Sequence, residues 1–152
     1  MSTQVYGEAV EPGDEIGPLL KTPDLAQVEA FLSVWNPGVS GPERSAVISR
    51  FTDPEAAARD GLRAPIVPGP MSHAFLGQLL TQWAGPAGWL RSLEVNFRRP
   101  AHHSDELSCV GLVTDKHDED GKTVVKLDVY IEDPRGDRPV QGVAEVVIPA
   151  HA

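Results

Sequence analysis

Residues Ala64–Gly85, APIVPGPMSHAFLGQLLTQWAG, decide the fold. A short apolar approach, Pro65–Val67, meets Pro68–Gly69–Pro70, and there a helical period begins. Met71, Ala74, Phe75, Leu79, Leu80 and Trp83 follow the i, i+3, i+4 spacing of one helix face. Pro70 suits a first helical turn, where a missing N–H costs nothing and φ is already helical. Gly85–Pro86 stops the run. The other side carries Ser72, His73, Gln78, Thr81 and Gln82, with no charge at all. A helix so poor in charge is expected to be wrapped on most sides, which predicts one central helix with a sheet around it.

Working outward toward the C-terminus, the period changes from 3.6 to 2 after Gly88. Leu93, Val95 and Phe97 alternate with Glu94, Asn96 and Arg98 until Pro100 breaks the run. Leu107–Thr114 reads as a second strand. Asp118–Gly121 is a turn, and Thr123–Glu132 a third strand with Leu127, Val129 and Ile131 inward. After the turn at Asp133–Gly136, Val140–Ile148 is the last strand. Such a meander leaves one face to cover, and the central helix is the long apolar element available to cover it.

On the N-terminal side, residues 1–21 read as an irregular lead-in with a short edge strand. Thr22–Pro23–Asp24 starts a helix, Pro23–Trp35, whose apolar stripe is Leu25, Val28, Phe31, Leu32 and Trp35. Val39–Arg50 reads as a loop on the strength of Gly41–Pro42 and its polar neighbours. Thr52–Glu55 reads as a capping box ahead of a second short helix that ends at Gly61. The whole, residues 1–152, is expected to be a single α+β domain.

Bulk properties narrow the function. A net charge of −9 disfavours a nucleic-acid partner. No apolar run reaches the roughly 20 residues that span a bilayer, so no membrane partner is expected. MSTQVYGEAV has neither a basic nor an apolar signal region. With a lone Cys109, this predicts a reducing, cytoplasmic location.

A sheet wrapped around one long helix is the hot-dog fold, and over nearly its whole length the sequence resembles the MaoC-like (R)-specific enoyl-CoA hydratases and dehydratases. The matching pieces are Pro12–Glu15, Lys21–Pro23, the helix ending Trp35–Asn36–Pro37, Thr52–Ala56, Ala64–Gly69 and the strand-rich C-terminal half. Gln82–Pro86 is also similar to small hydratase subunits of bacterial steroid side-chain breakdown. The resemblance implies an acyl-CoA ligand and no cofactor. It also implies a glycine N–H at the central helix start, here Gly69, that polarises the thioester carbonyl.

The family's catalytic pair lies in Asp–x–Asn–Pro–x–His. Aligned on Asn36–Pro37, the Asp falls on Val34 and the His on Val39. Aligned backward from Asp53–Pro54, the pair falls on Ala46 and Phe51. Both are missing either way, and Gly38–Ser49 fills the interval. The family's His–Gly ahead of the helix is Pro68–Gly69 here. These departures predict a hydratase or dehydratase subunit without its own acid–base pair, paired with a second MaoC-like chain. A homodimeric pseudoenzyme that holds an acyl or polycyclic ligand stays open, as does a divergent hot-dog enzyme using other residues, such as His73 or Glu43.

Candidate residues follow from position. His73 is the one titratable group on the central helix, either a substitute acid–base residue with Ser72 as its orienter or a structural hydrogen-bonding histidine. A pocket bounded by Trp35, the Gly38–Ser49 segment, Gly69 and His73 is expected. Arg98 and Arg99 end a strand and could meet CoA phosphates. Asp53 reads as a helix-start residue, and Glu43 and Arg44 as solvated. His102, His103 and Asp105 read as a solvated turn with no metal, because adjacent residues on an extended chain point to opposite sides. Cys109 reads as packed and inert.

Overall fold

The change of period at Gly88 becomes a change from helix to sheet in the computed structural model, which describes residues 3–152. In chain order the elements are β1 (Glu15–Lys21), α1 (Leu25–Val34), α2 (Gly41–Ile48), α3 (Pro54–Arg59), α4 (Gly69–Ala84), β2 (Trp89–Phe97), β3 (Leu107–Glu119), β4 (Lys122–Glu132) and β5 (Val140–Pro149). The five strands form one antiparallel sheet in the order β1-β3-β4-β5-β2. The chain therefore enters at one edge, passes through its helices, lays β2 on the far edge and crosses back to β3.

The fully buried residues Leu76 and Leu80 of α4 join Leu127, Val129, Ile131, Val140, Val146 and Ile148 from the sheet in one core. Period 2 along β4 puts Leu127, Val129 and Ile131 on the inner face, as expected from their alternation. Cys109 is buried in that core, and burial pushes its thiol up to about 12, so it is inert at neutral pH. The central helix starts and stops where its prolines and glycines direct. Pro70 lies in the first turn, and Gly85 follows the last at φ 77°, a conformation glycine adopts without strain.

Four expectations need correction. The interval read as a loop, Val39–Arg50, is mostly α2 followed by one 3-10 turn, Ser49–Phe51. Gly41–Pro42 is not a break but a start, because Pro42 sits in the first turn beside Glu43, an acid at the positive helix end. The cap of α3 is Asp53, which accepts from Glu55 N at 2.9 Å, rather than Thr52. β3 runs five residues past Thr114 to Glu119, where the largely exposed, charged Asp115–Glu119 pair with Lys122–Lys126, and that charge hides the extension from a hydropathy reading although Thr123, Val124 and Val125 opposite are buried. Finally, α4 is not wrapped on most sides by its own chain. His73, Ala74, Thr81 and Gln82 form an open, uncharged face beside β2, since five strands reach round only part of the helix.

Leu80→Ala removes a side chain with no exposed surface. It is expected to cost about 2–5 kcal/mol, read as a lower urea midpoint at an unchanged slope.

Candidate functional site

The site is built on a ribbon between two segments that are not strands of the sheet. The approach to α4, residues 65–67, runs antiparallel to the crossover after β2. Val67 N donates to Ala101 O at 2.7 Å, His103 N donates to Pro65 O at 3.1 Å, and Ile66 bridges His102. Ser104 N donates to Pro23 O at 2.9 Å. At the far end of the crossover Asp105 accepts from Arg63 at 2.6 Å and Arg135 at 3.0 Å, and Arg135 also reaches the buried Asp133 at 2.6 Å. The ribbon thereby fixes where α4 begins.

Counting donors at that beginning leaves one. A helix start has four N–H groups without intrahelical acceptors. Pro70 has no N–H, while Met71 N and Ser72 N both donate to Pro68 O, at 3.0 and 3.1 Å. No side chain caps the helix. Gly69 N–H therefore remains as the free donor at the positive end of a 16-residue helix, where carbonyl oxygen or negative charge is favoured.

A cavity of about 350 Å³ opens at this point. Phe51, Ile66, Val67, Phe97, Ala101 and Val140 give it apolar walls, Gly69 and the almost fully buried Ser72 line its helix side, and Arg98 and Arg99 stand at its mouth. Arg99 meets Asp137 at 3.5 Å, while Arg98 has no carboxylate within ion-pair distance among the described residues. In a chain of net charge −9, this is a local basic mouth on an apolar chamber.

No known family model matches the chain, and no curated protein does. Solved structures do match. The (R)-hydratase from A. caviae involved in PHA biosynthesis is 24% identical, with a TM-score of 0.76 over 93% of this chain and 99% of that one. The MaoC-like dehydratase from Rhodospirillum rubrum is 19% identical, with a TM-score of 0.77 over 97% and 99%. The ChsH1–ChsH2 complex from Mycobacterium tuberculosis matches at 17% identity and a TM-score of 0.71, over 91% and 98%. The chain has the hot-dog fold. It is the fold of the MaoC-like hydratases and dehydratases, with α4 as the helix inside the sheet.

Within this hot-dog cavity the structure brings together Gly69, Arg98 and Arg99. Trp35 and His73 are elsewhere. Trp35 packs edge-on against Phe51 at 5.9 Å, so it lies one layer behind the wall. His73 lies on the exposed face of α4, its Nε2 3.4 Å from Leu93 O. Residues 38–49 contribute nothing to the lining. Their helix is tied to α1 through Arg44, whose Nη2 donates to Leu32 O at 2.6 Å. Sequence reading did not single out Phe51, Phe97, Ala101 and Val140 as lining. Phe97 had a signal, since it closes the inward row Leu93–Val95–Phe97, but only the tertiary path of β2 places that row's end at the cavity.

The expected solvated turn at His102 and His103 is a buried ribbon instead. His102 is 7% exposed, with Nδ1 3.1 Å from Ala64 O, and His103 Nε2 is buried without a hydrogen-bond partner. Pairing with Pro65–Val67 drew both indoors. Among the described residues no three His, Cys, Asp or Glu side chains stand close enough to hold a metal ion. Burial pushes both imidazoles below their usual 6.5, assisted at His102 by Arg63.

Between those lowered values and 6.5 the unfolded chain binds more protons than the native one, so stability rises with pH across that window. The contribution is whole above about pH 6.5 and is lost as the pH falls through the native values. Urea midpoints measured from pH 7.5 to 5 are expected to fall, and to fall less in His103→Gln.

Proposed function

We propose that this chain is a MaoC-like acyl-CoA hydratase/dehydratase subunit that has no acid–base pair of its own and acts with a partner chain. The observation that carries this reading is the chemistry of the cavity: one free helix-start N–H in an apolar chamber, arginines at the mouth, and no carboxylate or imidazole in the wall. A thioester carbonyl oxygen fits the donor at Gly69. Negative charge that builds on this oxygen during addition or loss of water meets the positive end of α4. Arg98 and Arg99 are placed to meet the phosphates of CoA.

What the chain lacks is proton transfer. Aligned on Asn36–Pro37 the family's Asp and His positions fall on Val34 and Val39, and aligned from Asp53–Pro54 they fall on Ala46 and Phe51; none of these side chains can move a proton. Losing a positioned acid or base costs about 10²–10⁴ in rate. The water-activating pair would come from a second MaoC-like chain with Asp–x–Asn–Pro–x–His intact. The open, uncharged face of α4 beside the free edge of β2 is the surface offered to that chain, because an unpaired strand edge is a template for association. ChsH1–ChsH2, of which one chain matches this fold, is a complex. The same wall also suits a second reading, a homodimer that binds an acyl group without turnover. A cavity of about 350 Å³ lies at the small end of ligand pockets and favours an acyl chain over a polycyclic ligand.

The purified chain alone is expected to bind butyryl-CoA and to leave crotonyl-CoA unhydrated. Co-expression with a partner chain carrying the intact pair should restore hydration; binding without restored hydration by any such partner would favour the homodimer. Robust turnover by the isolated chain, lost in His73→Ala, would overturn both. Gly69→Ala keeps the N–H but sets a methyl group 3.1 Å from the Phe97 ring, so it is expected to weaken butyryl-CoA binding in titration calorimetry, while the half-exposed ring can give way and keep the change in urea stability to about 1 kcal/mol.

A further inference from the structure

Phe97 ends β2 and is the last of its inward row. Leu93 and Val95 are half-buried against α4, but Phe97 runs past the first turn of the helix and is 54% exposed. Its backbone is held in place, since Arg98 N, the next donor along, bonds Pro139 O at 2.7 Å. Its ring is directed at Gly69. A Cβ built on Gly69 would stand 3.1 Å from Cζ, 3.2 Å from Cε1 and 3.4 Å from Cε2. The ring thus occupies the space that a side chain at the helix start would take, and it is also a wall of the cavity.

We infer that Phe97 is a specificity-determining residue that admits thioesters unbranched at the α-carbon and excludes those branched there. This rests on the reading of the cavity as an acyl-thioester site. A carbonyl oxygen bonded to Gly69 N–H holds the carbonyl carbon one bond away, so the α-carbon and its substituents lie against the ring. The rest of a straight chain runs on between Phe51, Ile66, Val67 and Val140, where the walls are apolar and offer no partner for a polar group. An α-methyl group must instead displace the ring.

The test uses butyryl-CoA and 2-methylbutyryl-CoA, saturated thioesters whose binding is read by calorimetry without turnover. Wild type is expected to favour the straight thioester by about tenfold or more, the scale on which a pocket discriminates one carbon. Phe97→Ala should bring the two within about threefold and Phe97→Leu should fall between. Because Phe97 is half exposed, both variants are expected to keep the wild-type urea midpoint. Equal affinities in wild type, or a ratio unmoved in Phe97→Ala while butyryl-CoA still binds, would overturn the role of Phe97 alone. Failure of wild type to bind either thioester would overturn the acyl-thioester reading, and this inference with it.

Discussion

Everything at the site depends on the two-stranded ribbon between Pro65–Val67 and Ala101–His103. These segments are far apart in sequence and belong to no sheet, yet the 2.7 Å bond from Val67 N to Ala101 O joins them two residues before the helix starts. The pairing satisfies backbone groups that would otherwise be buried unpaired. It also sets the distance between the start of α4 and the crossover that supplies one wall of the cavity. The ion pairs of Asp105 with Arg63 and Arg135 anchor the same crossover to its surroundings.

The ribbon makes the donor count at the helix start matter. An ordinary helix presents several free N–H groups to water or to a capping side chain. Here prolines on either side of Gly69 and the shared acceptor Pro68 O reduce the supply to one fixed direction. A single preorganised donor in an apolar enclosure orients an oxygen without help from a charged side chain. Under the proposed function, binding geometry and proton transfer come apart: backbone and shape would supply the first, and a partner chain the second.

Much of this was legible in the sequence, for identifiable reasons. Period 3.6 from Met71 to Trp83, and its end at Gly85, predicted α4, and alternation at Leu127, Val129 and Ile131 predicted β4. Those signals are local and repeat often enough to outweigh noise. Gly69, Arg98 and Arg99, expected as ligand-binding residues, line one cavity, whereas Trp35, His73 and residues 38–49, expected around Gly69, are not in its lining. What failed was either ambiguous chemistry or long-range pairing. Gly41–Pro42 can end a chain segment or begin a helix, and only the first was read. His102 and His103 are polar residues in a polar stretch, so nothing nearby in the sequence signals that Pro65–Val67 will bury them. The convergence of Phe51, Phe97, Ala101 and Val140 likewise lies in the crossover of the sheet and not in any window of residues.

One consequence concerns α2. None of its residues is buried, and its clearest tie to the rest is one arginine side chain bonded to a carbonyl at the end of α1. Elements with so little packed surface open locally at far lower cost than the core does. Apart from Ile48, which packs partly buried against the core, substitutions there remove little packed surface, so the interval between Pro37 and Val47 can drift in sequence while the sheet and α4 remain as they are. A region that need not be conserved for folding is one where evolution can discard an old function, or install a new one, without first destabilising the protein that carries it.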